Sequence, residues 1–354
     1  GTYMLTYAYK YSQSFFFWDG GATGDLSDAT WKATDSDGEE TTGLSLSAYD
    51  NFGFKAGSYT ITNSQESLAV LYGFISIEDD AFVKLSATVE TTLPSTIGLG
   101  KNAVLELGAG ISVYDVVPYS AQNIASTTLS LPASSMGTLS TAKVGTLILT
   151  GTALPEAPIT KLTCSELSFS EDLLAAIQLS VTASGTVCKL ATSYTEETLP
   201  TCTLPAGFTL EKSTAGELSL VYTAPASSPA ALYAKVPEGT TSWLGLTWCS
   251  NAECTEPVTP LWSSVSSVTL TAEGAATLTF PGALSGLKSL TVAASDHTLT
   301  LSGGTLPALT TLILNGDLTL EGAVLSSVPS ELSGSGSLTF RSGGSVISAN
   351  AGGN

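Results

Sequence analysis

The sequence predicts an all-β protein wound as a parallel β-helix, or β-solenoid, in two tandem β modules. Three observations predict it: short alternating strands that recur about 22 residues apart, a composition poor in charge, and glycine or serine wherever the chain must turn.

The repeat is clearest in the last hundred residues. Ser267-Val268-Thr269-Leu270, Ser289-Leu290-Thr291-Val292, Thr311-Leu312-Ile313-Leu314 and Ser337-Leu338-Thr339-Phe340 read as four copies of one strand, the first three spaced by 22 residues and the last by 26. A second alternating strand follows each copy, at 277–280, 298–301, 318–320 and 346–347. A Leu-x-x-Leu step stands between coils, at Leu284/Leu287 and Leu306/Leu309, with Leu325/Val328 as a degenerate third. Strands this short cannot bury an apolar side alone; stacking successive coils aligns equivalent strands into parallel sheets over one continuous core. Small residues let the chain turn sharply and approach the next coil. A looser version occupies 129–131, 147–149, 167–169 and 178–181, and residues 170–179 read as one helical turn. The rival architecture is an ordinary β-sandwich.

Composition agrees. Hydrophobic residues make up 43 % of the 354, enough for a core, and charged residues only 12 %. Helices expose Lys, Glu and Arg, which are scarce here, whereas Thr, Val and Leu suit a pleated surface. Twelve basic against 31 acidic residues, net −19, with Arg341 the one arginine, argue against nucleic acid, which needs clustered cations. Anionic membrane surfaces are disfavoured for the same reason. No apolar run reaches the roughly 18 residues of a membrane-spanning helix. The start, GTYMLTYAYKYSQS, lacks the charged head and apolar middle of a signal peptide, as an exported chain trimmed to its mature form would.

Earlier segments organise the modules. Residues 3–18 are rich in Tyr and Phe, and strand patterns follow at 57–62, 74–77, 82–85 and 103–107. Residues 208–223 form a hairpin pattern around Ala215-Gly216. The Pro/Ala/Ser stretch 224–231 then reads as a linker, giving modules 1–225 and 226–354. After it TSWLGLTW (241–248) repeats the Thr-Trp ending of DLSDATW (25–31), so each module has a Trp-bearing start and a stacked-strand body.

Trp18-Asp19-Gly20-Gly21, Trp31, the strand 57–62, Ile97-Gly98-Leu99-Gly100 and Leu105-Glu106-Leu107-Gly108 resemble the opening of autotransporter-type passenger regions, surface proteins and adhesins of Gram-negative bacteria. The resemblance covers about the first 110 residues. It implies a right-handed parallel β-helix, a secreted or cell-surface location, and an adhesive or structural role towards a host or environmental glycan or protein, or towards neighbouring surface subunits. It transfers no catalytic residue. The Leu-x-x-Leu-x-[Leu/Val] step also resembles leucine-rich repeats, but the asparagine of that repeat is missing.

Residues able to do chemistry are few. Of five cysteines, Cys249 and Cys254 flank a short polar loop and Cys188 and Cys202 bracket another, so two disulfides are expected, with Cys164 left free. Zinc is disfavoured by one histidine and no Cys-x2-Cys pair. Asp35, Asp37, Glu39 and Glu40 in DSDGEE offer oxygen ligands that suit Ca²⁺, or form a solvated turn; no other cofactor is expected. His297 lies in a turn, with only the adjacent Asp296 as a triad partner. The acidic groups Glu78-Asp79-Asp80, Glu171-Asp172 and Glu196-Glu197 sit in turn-like sequence, where solvated carboxylates are expected anyway, though a β-helical glycan hydrolase or lyase would draw on such a pair. The sequence therefore favours a non-catalytic surface protein over that enzyme, with a self-assembling filament or surface-layer module as a further alternative.

Overall fold

The computed structural model describes residues 15–34, 39–225, 229–282 and 284–347. It is 46 % strand and 9 % helix, and its parallel coils, about 13 of them, stack into a β-solenoid. The chain falls into two compact units. One comprises the chain up to Leu173 with Cys188–Thr203 and Leu210–Leu220; the other comprises Leu174–Val187, Leu204–Thr209 and everything from Val221.

In the first unit, one face of the coils lies in a twelve-stranded sheet and another in a seven-stranded sheet. Alternation dictates which side chains turn inward. Along the seven-stranded sheet, parallel register stacks Val83, Leu105, Leu129, Leu147 and Leu167 into one column, each at most 2 % exposed. Along the twelve-stranded sheet, Phe52, Ile75, Ile97, Val116, Ala142 and Leu162 form the facing column. At about 25 cal/mol per Å² of apolar surface removed from water, such columns are the main stabilising contribution.

The stack opens with antiparallel pairing. Trp31–Thr34 pairs antiparallel with both Phe15–Trp18 and Glu40–Leu44, and only with Asn51–Phe54 does the parallel ladder begin. This opening packs an aromatic cluster. Trp31, 0 % exposed, lies edge-on to Trp18 and Phe52 at 5.1 and 5.3 Å between ring centroids, and its indole donates to the Leu26 carbonyl at 3.1 Å. Both Trp-bearing starts thus supply core, for Trp243, Trp248 and Trp262 of the second unit are buried together as well.

Corners are held by polar contacts from coil to coil. Asp80 and Asn102 occupy equivalent corners with left-handed φ of 58° and 56°, which short polar side chains tolerate best after glycine. The Asn102 amide donates to Asp80 Oδ1 at 2.8 Å, and the Asn102 backbone N–H donates to Ser126 Oγ at 3.1 Å. Asp79 accepts from the Lys101 backbone N–H at 2.6 Å.

The second unit has three faces per coil: sheets of five, four and three strands. Val268, Leu290 and Leu312 stack in the first, Leu278, Leu301 and Leu320 in the second, and Leu306 with Leu325 in the third. The structure corrects the expected last coil. Leu338–Arg341 is not the fourth copy of the first strand; it pairs with Leu318–Glu321 in the second sheet. The first-sheet copy is Glu331–Ser333, with Glu331 opposite Thr311, so that the last spacing is 20 residues rather than 26. Val346 pairs with Leu325 in the third sheet rather than forming a second strand. Residues 170–179 form more than a turn, an α-helix over Glu171–Ser180 whose first-turn Glu171 and Asp172 suit the positive end of its dipole. The hairpin pattern is realised as Phe208–Lys212 and Leu218–Tyr222, adjacent in the sheet and joined through Gly216 at φ +88°. Part of the expected linker, residues 226–228, lies outside the described residues.

Candidate functional site

The expected site residues are placed as follows. Asp35 and Asp37 lie outside the described residues; Glu40 opens the strand Glu40–Leu44, its carboxylate 3.8 Å from Lys32. Among the described residues no group of three or more His, Cys, Asp or Glu side chains gathers as a metal site. His297 is exposed and its backbone N–H donates to Ser295 Oγ at 3.1 Å. Of Glu78-Asp79-Asp80, the carboxylates of Asp79 and Asp80 are engaged in the corner contacts described above. Lys212 reaches the backbone carbonyl of Glu196 at 2.6 Å rather than its carboxylate.

Cys249 and Cys254 form a disulfide, with Cα atoms 5.1 Å apart. Cys188 and Cys202 do not pair; both are free thiols, as is Cys164. The reason is topological: Cys188 belongs to a strand of the twelve-stranded sheet, whereas Cys202 follows a bridge from Thr201 to Glu166 on the other face of the coil. Burial pushes the Cys164 and Cys188 thiols up to about 12 from the ordinary 9.0. Their folded pKa is raised, so the stability gained by keeping them neutral is complete below pH 9 and is lost as pH rises from 9 towards 12. Only the unfolded chain ionises them there. Melting temperature should therefore fall above pH 9, less steeply in a Cys188→Ala variant, as a calorimetric pH series would read. At pH 8 a thiol reagent should reach Cys202 first, since it is the least buried of the three.

What distinguishes the surface is a set of aromatic side chains on the first unit. Phe52 pairs with Ile75, so Tyr49 and Tyr72, each three residues ahead of those, are equivalent positions of successive coils. Their rings stack at 5.1 Å between centroids and 11° between planes, yet they are 75 % and 54 % exposed. The Tyr72 backbone N–H donates to the Ala48 carbonyl at 2.7 Å, fixing the coil offset that makes the stack. Two residues on, Phe74 lies 6.3 Å from Tyr119 of a later coil. Both rings rest over Gly98, where a Cβ would come within 2.3 Å of the Tyr119 ring and 2.6 Å of the Phe74 ring. Glycine at this position therefore leaves the room that both rings occupy. Tyr114, at a bulge between Val113 and Asp115, is a further exposed aromatic at 52 %.

Acids lie beside Tyr119. Ala56, Glu78, Asp79, Asp80 and Tyr119 line a shallow depression of ≈ 480 Å³. The Tyr119 hydroxyl is hydrogen-bonded to Ser76 Oγ. Burial raises the Tyr119 phenol above its ordinary value of 10.0; the bond to Ser76 works against that, and the carboxylates of Glu78 and Asp79 add to it. The phenol thus keeps its proton at neutral pH. Flat ring faces with hydroxyl rims can stack on an apolar or cationic surface and hydrogen-bond beside it, while the carboxylates repel anions. This arrangement has no local signature in the sequence, because residues 23 apart become neighbours only through the length of one coil.

No family model, no curated protein and no solved structure matches this chain, so what stands established is its architecture, a β-solenoid of parallel stacked coils.

Proposed function

We propose that this chain is a non-catalytic, secreted or cell-surface protein of structural or adhesive type, whose solenoid presents an aromatic face to neutral glycans. The exposed Tyr49/Tyr72 stack is the observation that carries this reading. Two large aromatic rings kept in solvent contribute little to a core, and a parallel pair offers a platform to a sugar ring. The acids beside Tyr119 and a net charge of −19 select against sialylated or sulfated chains. The likeness of the N-terminal motifs to autotransporter passengers supports the surface location, and one disulfide suits an oxidising compartment. The engaged carboxylates of Asp79 and Asp80 and the exposed His297 favour this reading over that of a glycan hydrolase or lyase.

A glycan array with neutral, sialylated and sulfated members tests it. Binding is expected on neutral members and should fall at least about tenfold, the effect of about 1.4 kcal/mol, in a Tyr49→Ala/Tyr72→Ala double variant with an unchanged melting temperature. Binding that survives the double variant, or that prefers the sulfated members, refutes this use of the face.

A further inference from the structure

The last described coil of the second unit is open on its outer side. Glu331–Ser333, Leu338–Arg341 and Ser345–Val346 each stand at the end of a parallel sheet, so their outward backbone groups meet no further strand among the described residues. The core columns run on into these strands: Leu332 continues the row of Leu312, Phe340 that of Leu320, and Val346 that of Leu325. Leu332 and Phe340 are 60 % and 41 % exposed, whereas Leu312 and Leu320 one coil earlier are 0 %. Terminal repeats of a solenoid normally turn a polar face outward. The opening of the first unit does so, its antiparallel edge strand Glu40–Leu44 showing Glu40, Thr41 and Thr42 to solvent. The apolar end of the second unit calls for a cover instead.

Two features say what that cover is. Among residues 322–347 the only charges are Glu331 and Arg341, so this end is neutral in a chain of net charge −19. Two copies therefore repel each other least where these ends meet. The end is also self-complementary about Gly336, with Glu331 and Arg341 five residues either side of it and Leu332 and Phe340 four. A twofold axis through that corner and the middle of the third face lays the first-sheet edge of one copy antiparallel to the second-sheet edge of the other. Leu332, in the core row, then meets Phe340 of the other copy, and the exposed Glu331 meets its Arg341. Ser345–Val346 meets itself. Among the described residues no ion pair uses Arg341, and only one oxygen of Glu331 accepts a hydrogen bond, from Thr311 Oγ1 at 3.1 Å.

We propose that this end is an isologous interface at which two copies of the chain pair tail to tail. Each copy supplies the coil that the other lacks, closing the apolar rows and joining a cation to an anion twice over. The interface is separate from the aromatic face of the first unit and does not rest on glycan binding.

Sedimentation equilibrium of the 354-residue chain in about 0.15 M salt tests it. One coil end is a small interface, so a monomer–dimer equilibrium with a dissociation constant of about 10 µM is expected, stopping at two copies. Arg341→Glu and Glu331→Arg each set like charges together at both contacts and should weaken the dimer at least about tenfold. Mixing these two variants in equal amounts should restore it as a heterodimer, in which both contacts again join opposite charges. Phe340→Asp should give a monomer with an unchanged circular-dichroism spectrum. A wild-type chain that stays monomeric at about 1 mM overturns the proposal and leaves the end to a segment of its own chain. Growth beyond the dimer overturns it in favour of head-to-tail stacking. So do single charge variants that dimerise like the wild type, or a mixture of the two that stays monomeric.

Discussion

Replacing Trp31 with alanine should destabilise the first unit by about 4 kcal/mol, within the roughly 3–5 kcal/mol typical of buried tryptophan truncations. Trp31 is fully buried, contacts Trp18, Phe52 and Phe54 by ring edges, and donates its indole hydrogen to Leu26. Truncation opens a cavity between antiparallel opening and parallel ladder, and it also deletes the partner of the Leu26 carbonyl. Little can collapse into the space, because the Trp18 ring is already wedged against Gly20 and Gly24, where an added Cβ would approach within 2.3 and 2.5 Å of it. Guanidinium unfolding followed by tryptophan fluorescence would measure the loss. A change below about 1 kcal/mol would show that the cluster is not the fastening of this end.

The second large effect is expected at Leu301. It is 0 % exposed in the middle of a column, with Leu278 in the coil before it and Leu320 in the coil after it. Leu301→Asp removes a leucine from the core, for about 2–5 kcal/mol, and inserts a polar group without a partner, for about 1–3 more. A stacked coil depends on its immediate neighbours alone, so damage to one interface is felt by the coils on both sides. The sum approaches the whole stability of a typical domain, about 5–15 kcal/mol. Amide exchange should lose protection across Ser267–Ala272, Ser289–Val292 and Leu318–Glu321. Thr300→Asp, one residue away on the half-buried side of the same strand, should leave protection nearly intact. Similar losses in both variants would contradict the inward assignment of the column.

These two residues also mark what could be read in advance. The columns of the second unit were legible because alternation and coil length coincide in the sequence, so Val268, Leu290 and Leu312 align by counting alone. The last coil departs from its sequence pattern for a physical reason. Glu331–Ser333 carries one apolar residue, Leu332, between polar neighbours, whereas Ser337 to Phe340 imitates the first-strand pattern while belonging to the second sheet. Spacing also suggests a Cys188–Cys202 pair, because bracketing a loop does not reveal that the two ends lie on different faces of a coil. The Tyr49/Tyr72 stack lies beyond sequence reasoning altogether. It is assembled from residues whose adjacency is made by coil stacking, and it carries no local motif.

The corner contacts have a consequence for how the stack finds itself. A core of near-identical leucine rows is degenerate: a coil that slides past its neighbour and docks one repeat too far still puts leucine on leucine. Apolar columns alone would therefore accept a family of mis-stacked arrangements of nearly equal free energy. Asp80, Asn102 and Ser126 are not interchangeable in this way, because each accepts or donates to a particular partner in the adjacent coil. A slipped arrangement breaks these bonds while sparing the leucines. Three short polar side chains at solvent-exposed corners thus act as an index, giving successive coils an address that the core does not encode.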